Sequence, residues 1–227
     1  KEGFEIAIKM AKENDVDVII GTDPDCDRVG IVVRDADGIY RTLTGNQTGA
    51  LLVEYILSSK KAKGTLPENG VVIKTIVTTE LAAAIAHSYG IEIMNVLTGF
   101  KYIGEKMTEF AKTGDHTYLI GFEESYGYLV GTHARDKDGV VATMLIAEMA
   151  AYYKTKGKSL YEALMDIYKK YGYYSEKTVS FVMPGKDGME KMSQLLTDLR
   201  QTPPTKVAGM DVVPVSYTHL RAHETCA

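Results

Sequence analysis

Val71-Val72-Ile73-Lys74-Thr75-Ile76-Val77 opens the part of the chain that decides the fold. It is a mostly apolar run of strand length, and a helical stretch at about Thr79–Tyr89 follows it. The rhythm then repeats. Ile91–Leu97 reads as a second strand, about Tyr102–Lys112 as a second helix, and Thr117–Gly121 as a third strand. Strands alternating with helices of this length predict a mixed, mainly parallel sheet with helices on both faces. In such sheets ligands gather at loops leaving the carboxyl ends of strands. The loops at 98–101 and 122–127 leave strands in that way.

Upstream lies a partial α/β unit. Phe4, Ala7, Ile8 and Ala11 recur at helical spacing within residues 2–13. Val16–Ile20 and Val29–Arg34 read as strands. Asp35-Ala36-Asp37-Gly38 is turn chemistry, and Ile39–Leu43 reads as the returning strand of a hairpin. A helix is expected over about Gln47–Lys61, where Lys60, Lys61 and Lys63 suit a helix C-terminus. Downstream, helices are expected over about Gly139–Lys154 and Leu160–Tyr171. A strand is expected at Val179–Met183, a helix at Asp187–Arg200 and a further strand from Val207 to Val215.

The chain has 227 residues, 45% hydrophobic and 25% charged, as a globular protein requires. A net charge of −4 provides no broad basic field for nucleic acid. No apolar run is long enough to span a membrane as a helix. The two cysteines, Cys26 and Cys226, form no disulfide framework and suit a reducing compartment, so a cytoplasmic location is expected. The opening Lys-Glu-Gly-Phe reads as the interior of a longer protein. Ser216–Ala227 holds two of the five histidines without periodic pattern. It reads as foreign sequence replacing a native continuation.

Gly21-Thr22-Asp23-Pro24-Asp25-Cys26-Asp27-Arg28 carries the strongest chemical signal. Three carboxylates packed this closely repel unless a cation sits among them. Hard oxygen ligands suit Mg²⁺ or Ca²⁺. Arg28 adds a planar fork suited to phosphate oxygens, and metal ligands beside a phosphate reader suggest phosphoryl transfer. An EF-hand is excluded, because Arg28 stands where its loop needs Gly and Arg34 where it needs a bidentate Glu. Cys26 among three acids is a poor thiolate and reads as a filler.

Three further segments are candidates. In Gly121-Phe122-Glu123-Glu124-Ser125-Tyr126-Gly127, Glu123 and Ser125 suit sugar hydroxyls. In Thr98-Gly99-Phe100-Lys101, Gly99 permits a sharp turn and Lys101 offers a cation. His133-Ala134-Arg135-Asp136-Lys137-Asp138-Gly139 reads either as a charged loop before a helix capped by Asp138 or as an anion site built from Arg135 and Lys137. The tyrosines at 152, 153, 161, 168, 171, 173 and 174 read as packing, and His87 as structural.

Together these segments resemble the α-D-phosphohexomutase superfamily, which includes phosphoglucomutases and phosphomannomutases. Asp-Pro-Asp-Cys-Asp-Arg resembles the metal loop of its second domain. The other three segments resemble sugar-recognition elements of its third. Gly-Phe-Lys-Tyr-Ile-Gly-Glu-Lys and Glu-Glu-Ser-Tyr-Gly-Tyr-Leu are most similar to the bacterial phosphoglucomutase and phosphopentomutase branch. The family usually has Gly where this chain has Pro24 and Cys26; neither position supplies a side-chain ligand.

The resemblance implies four domains in the complete protein. Residues 1–40 would be the second half of domain 2, 41–172 domain 3, 173–215 a connection to domain 4, and 216–227 a non-native tail. It implies Mg²⁺ on Asp23, Asp25 and Asp27, with Arg28 steadying a phosphoserine of domain 1. Gly99, Glu123, Ser125, Arg135 and Lys137 would bind substrate, with Lys101 or His133 moving protons. The implied partners are glucose 1- and 6-phosphate or similar sugar phosphates, their bisphosphate, and the missing domains 1 and 4. The chain alone would then be inactive. Two alternatives stay open: a Mg-dependent phosphatase of the haloacid dehalogenase type, using Asp23 and Asp25, and a non-catalytic metal or sugar-phosphate module.

Overall fold

A computed structural model describes residues 2–176, 182–207 and 209–212. The chain divides into two compact units, the first ending at Tyr174 and the second beginning at Ser175.

In the first unit a 3-10 turn, Glu2–Phe4, leads into helix α1, Glu5–Glu13. Strands β1 (Val18–Thr22), β2 (Val29–Arg34) and β3 (Tyr40–Thr42) form an antiparallel sheet in that order. Helix α2 (Gly45–Ala62) follows, started by a reciprocal capping pair between Thr44 and Gln47. The larger sheet contains β4 (Gly70–Thr75), β5 (Glu92–Val96), β6 (Thr117–Phe122) and β7 (Tyr128–Leu129). Its order is β5-β4-β6-β7, with β4 parallel to both neighbours and β7 antiparallel to β6. Helices α3 (Leu81–Ser88) and α4 (Phe100–Thr113) make the crossovers. Helices α5 (Gly139–Thr155) and α6 (Leu160–Tyr171) complete the unit. The mixed, mainly parallel sheet flanked by helices is therefore present.

The strands send side chains into two separate cores, by alternation along β4 and, on β6, through a register shift between the Val71–Tyr118 and Val72–Ile120 pairs that turns Tyr118 and Ile120 to opposite faces. Val72, Ile120 and Phe122 pack with Leu52, Ile85 and Leu164 of α2, α3 and α6. That cluster also takes Val29, Ile31 and Val33 of β2, so the small sheet shares its core with the large one. Val71, Ile73 and Tyr118 face the other way, against Ile103, Met107 and Phe110 of α4. Each fully buried Leu or Ile contributes roughly 1.5–3 kcal/mol. Gly49 allows α2 to lie on the Phe122 ring, which an added Cβ would meet at 2.1 Å.

Several expected boundaries moved. The first strand begins two residues later than expected, because Val16 and Asp17 finish the turn after α1. Strand β7 was not anticipated; two residues between Gly127 and a polar loop carry too short a pattern to read. In the second unit, α7 spans Gly185–Gln201, and Lys206–Val207 (β8) pairs antiparallel with Met210–Asp211 (β9). A hairpin thus stands where one strand from Val207 was expected, with residues 213–215 outside the described residues. Of the strand expected at Val179–Met183, residues 179–181 lie outside the described residues and 182–183 are irregular. The 216–227 tail, with Cys226, also lies outside them.

Candidate functional site

The acidic segment is the hairpin loop between β1 and β2, and local chemistry fixes its shape. The Cys26 N–H donates to the Asp23 carbonyl at 3.0 Å, closing a four-residue turn with Pro24 at its second position. Asp first and Pro second is a favoured turn sequence, so Pro24 fits where the family has Gly. Cys26 occupies the left-handed region at φ +57°, which explains why Gly is usual there. Asp23 then ties the far side of the loop. Its Oδ1 accepts the N–H groups of Asp27 and Arg28 at 3.1 and 3.0 Å, and its Oδ2 accepts Arg28 Nε at 2.8 Å. The Arg28 N–H, opposed by burial and helped by the Arg28 guanidinium, lowers the Asp23 carboxyl from 3.8 to about 2.

Asp23, Asp25 and Asp27 each present a carboxylate oxygen within 4.8 Å of the others. Asp27 Oδ1 is buried and has no hydrogen-bond partner, while Lys137 Nζ lies 3.0 Å from Asp27 Oδ2. The donor set is therefore hard, anionic and incompletely satisfied, which fits a divalent cation with oxygen ligands.

Backbone contacts lock this loop onto the other candidate segments. Arg28 bridges Gly127, and the Val29 N–H donates to the Tyr126 carbonyl at 3.0 Å. The Gly139 N–H donates to the Cys26 carbonyl at 3.0 Å, at a place where an added Cβ would meet that oxygen at 2.4 Å. Glu123 sits at the turn between β6 and β7, only 6% exposed, and its Oε1 accepts the Gly99 N–H at 3.0 Å. Burial raises its carboxyl above the usual range, against the Gly99 N–H and the Lys137 charge. Gly99 itself has φ +117° at the start of α4.

Asp25, Asp27, Lys101, Arg135 and Lys137 line one cleft of about 910 Å³. Asp23 and Arg28 face a second cleft of about 460 Å³ on the other side of the loop. Gly99, Glu123, Ser125 and His133 line neither. His133 Nε2 pairs with Asp138 Oδ2 at 2.8 Å, and that contact lowers the Asp138 carboxyl. Asp138 also caps α5, accepting from the Val140 and Val141 N–H groups. Arg135 is partly spent on its own loop, donating to the Thr132 and Ala134 carbonyls.

Sequence reasoning missed two features. Asp136 shares the Lys137 ammonium at 3.0 Å. Lys74, fully buried at the end of β4, donates to the Thr78 carbonyl at 2.9 Å and to Glu80 at 2.8 Å. Beside it, Thr75 and Thr78 hydroxyls reach Glu124 Oε2 at 3.2 Å. The signal was a lone lysine inside an apolar strand.

Residues 44–171 match the family model for phosphoglucomutase/phosphomannomutase, alpha/beta/alpha domain III. The chain belongs to the phosphoglucomutase/phosphomannomutase family. It is 36% identical over 215 residues to a phosphoglucomutase of Staphylococcus haemolyticus, covering 95% of this chain and 38% of that protein. A Staphylococcus aureus phosphoglucomutase is 36% identical over 210 residues, with 37% of its length covered. The chain thus spans well under half the length of these relatives. Among solved structures, a phosphoglucomutase/phosphomannomutase family protein from Burkholderia thailandensis has the same fold, with TM-score 0.61 at 19% identity over 93% of this chain and 39% of that one. No helix among the described residues is long and apolar enough to cross a membrane.

Proposed function

We propose that this chain is the metal- and sugar-binding part of a phosphohexomutase. The complete enzyme would move a phosphoryl group between the 1- and 6- (or 5-) positions of a sugar phosphate, through a phosphoserine and a bisphosphate intermediate. One observation carries this reading: three carboxylates converge within 4.8 Å, and two of them, Asp25 and Asp27, line a cleft that also presents Lys101, Arg135 and Lys137. Acids and cations facing one space suit a metal and a phosphate together.

On this reading Asp23, Asp25 and Asp27 hold Mg²⁺, which when bound supplies charge neutralisation for phosphoryl transfer. Lys101, Arg135 and Lys137 attract phosphate oxygens into the larger cleft. Arg28, on the other side of the loop, meets the phosphoserine of domain 1. Glu123 and Ser125 read sugar hydroxyls, with Glu123 aimed by the Gly99 N–H. His133 or Lys101 moves the proton of the accepting hydroxyl. Residues 1–40 belong to domain 2, 41–172 to domain 3 and 173–215 lead toward domain 4. The enzyme works in the cytoplasm on glucose 1- and 6-phosphate or similar sugars.

The phosphatase reading is disfavoured by β1, which pairs antiparallel with β2 and does not belong to the parallel sheet. The test uses the full-length protein. Asp25→Asn should abolish conversion of glucose 1-phosphate to glucose 6-phosphate and leave the thermal unfolding midpoint unchanged. Turnover at the wild-type rate would refute the metal-loop assignment. Release of inorganic phosphate without isomerisation would favour the phosphatase.

A further inference from the structure

The two ends of the acidic loop already carry cations, held in different ways. At Asp23, Arg28 reaches in from an exposed position, its side chain 53% accessible. At Asp27, Lys137 is confined: its side chain is 17% exposed, and its Nζ lies 3.0 Å from both Asp27 Oδ2 and Asp136 Oδ1. Its stem crosses Gly127, where an added Cβ would meet Cδ at 2.3 Å. The Phe100 ring lies 5.7 Å from the ammonium. A side chain threaded over a glycine and past a ring has few alternative paths to water. The ammonium therefore has two docks, Asp27 within the triad and Asp136 outside it, and both residues line the larger cleft.

We propose that Lys137 stands in for a divalent cation at Asp27, and that a cation entering the triad displaces its ammonium from Asp27, leaving Asp136 and the cleft as its surroundings. The inference rests on reading the triad as a metal site. Arg28 Nε already lies 3.5 Å from Asp27 Oδ1 and Lys137 Nζ 3.0 Å from Oδ2; a divalent ion that takes Oδ2 adds a third cation at contact distance, and the repulsion works to break the Asp27–Lys137 contact. Release leaves Lys137 beside Lys101 and Arg135, where an anionic ligand would meet it. Metal entry and exposure of a cation to the cleft then become a single linked event.

The 227-residue chain itself tests this, by titration with Mn²⁺ while the electron paramagnetic resonance signal of free Mn²⁺ is followed at fixed pH and low salt. Lys137→Met should bind Mn²⁺ about five- to tenfold more tightly, because the competing charge is gone. Lys137→Gln, whose polar tip is milder in the same channel, is titrated alongside with circular dichroism melts on both. Tighter binding in either folded variant supports the proposal. Unchanged or weaker binding in a folded variant overturns it, provided that Asp25→Asn loses binding, and the triad reading then survives. Equal binding by the wild type and Asp25→Asn overturns the triad reading and the proposal together.

Discussion

The Lys74 cluster and the acidic loop use the same kinds of groups and balance them in opposite ways. Lys74 is fully buried, yet its ammonium meets the Thr78 carbonyl, the Thr75 carbonyl and Glu80. Thr75, Thr78 and Glu124 complete the cluster among themselves. Its polar groups are satisfied within the protein, as burial demands. The acidic loop is nearer to water and carries more negative charge than its cations neutralise: Asp23, Asp25 and Asp27 face Arg28 and Lys137, and Asp27 Oδ1 accepts no hydrogen bond. Polar groups that are satisfied hold structure. Polar groups left in deficit mark the place where something else binds.

That contrast can be broken by mutation. The largest effect should come from Lys74→Ala, which strips the donors from two carbonyls and opens space in a packed strand. It should cost about 2–4 kcal/mol in urea unfolding, and a loss below about 0.5 kcal/mol would mean that the cluster is not structural. Asp138→Ala sits at the edge of the site and should cost about 1 kcal/mol through the lost α5 cap. The Asp138 carboxyl is lowered by His133 and by the Val141 N–H. Its contribution is therefore present above the ordinary carboxylate pKa and is lost as pH falls through the lowered folded value. Unfolding curves for the wild type and Asp138→Ala should converge in that acid window; a gap that stays constant with pH would deny the carboxylate its role. Cys26→Gly should be the smallest change, a gain of about 0.5–1 kcal/mol from relief of the left-handed conformation. A loss on that substitution would show that the thiol packs better than its backbone suggests.

Much of this arrangement was legible before the structure. Residues 71–122 alternate with enough length and apolarity to give the β4-α3-β5-α4-β6 order. The acidic loop was legible because three Asp between two strands is a rare pattern with a physical cost. The meeting of that loop with Gly127 and Gly139 was not, because those contacts run through backbone atoms of residues about 100 positions apart. Nor was the Lys137–Asp27 pair, since a lysine in a charged loop has many partners in reach until the fold selects one. Lys74 was passed over because an apolar strand reads as apolar throughout; the threonines after it were the clue that its charge could be buried and paired.

The central claim is that Asp23, Asp25 and Asp27 bind one divalent ion. Crystals of the chain soaked in Mn²⁺ and measured near the manganese absorption edge test it most directly. The account predicts a single strong anomalous peak bonded to oxygens of all three carboxylates at about 2.0–2.3 Å, with Lys137 Nζ moved away from Asp27. A map with no peak at the loop, or one in which the three side chains turn apart and the manganese binds elsewhere, would contradict it.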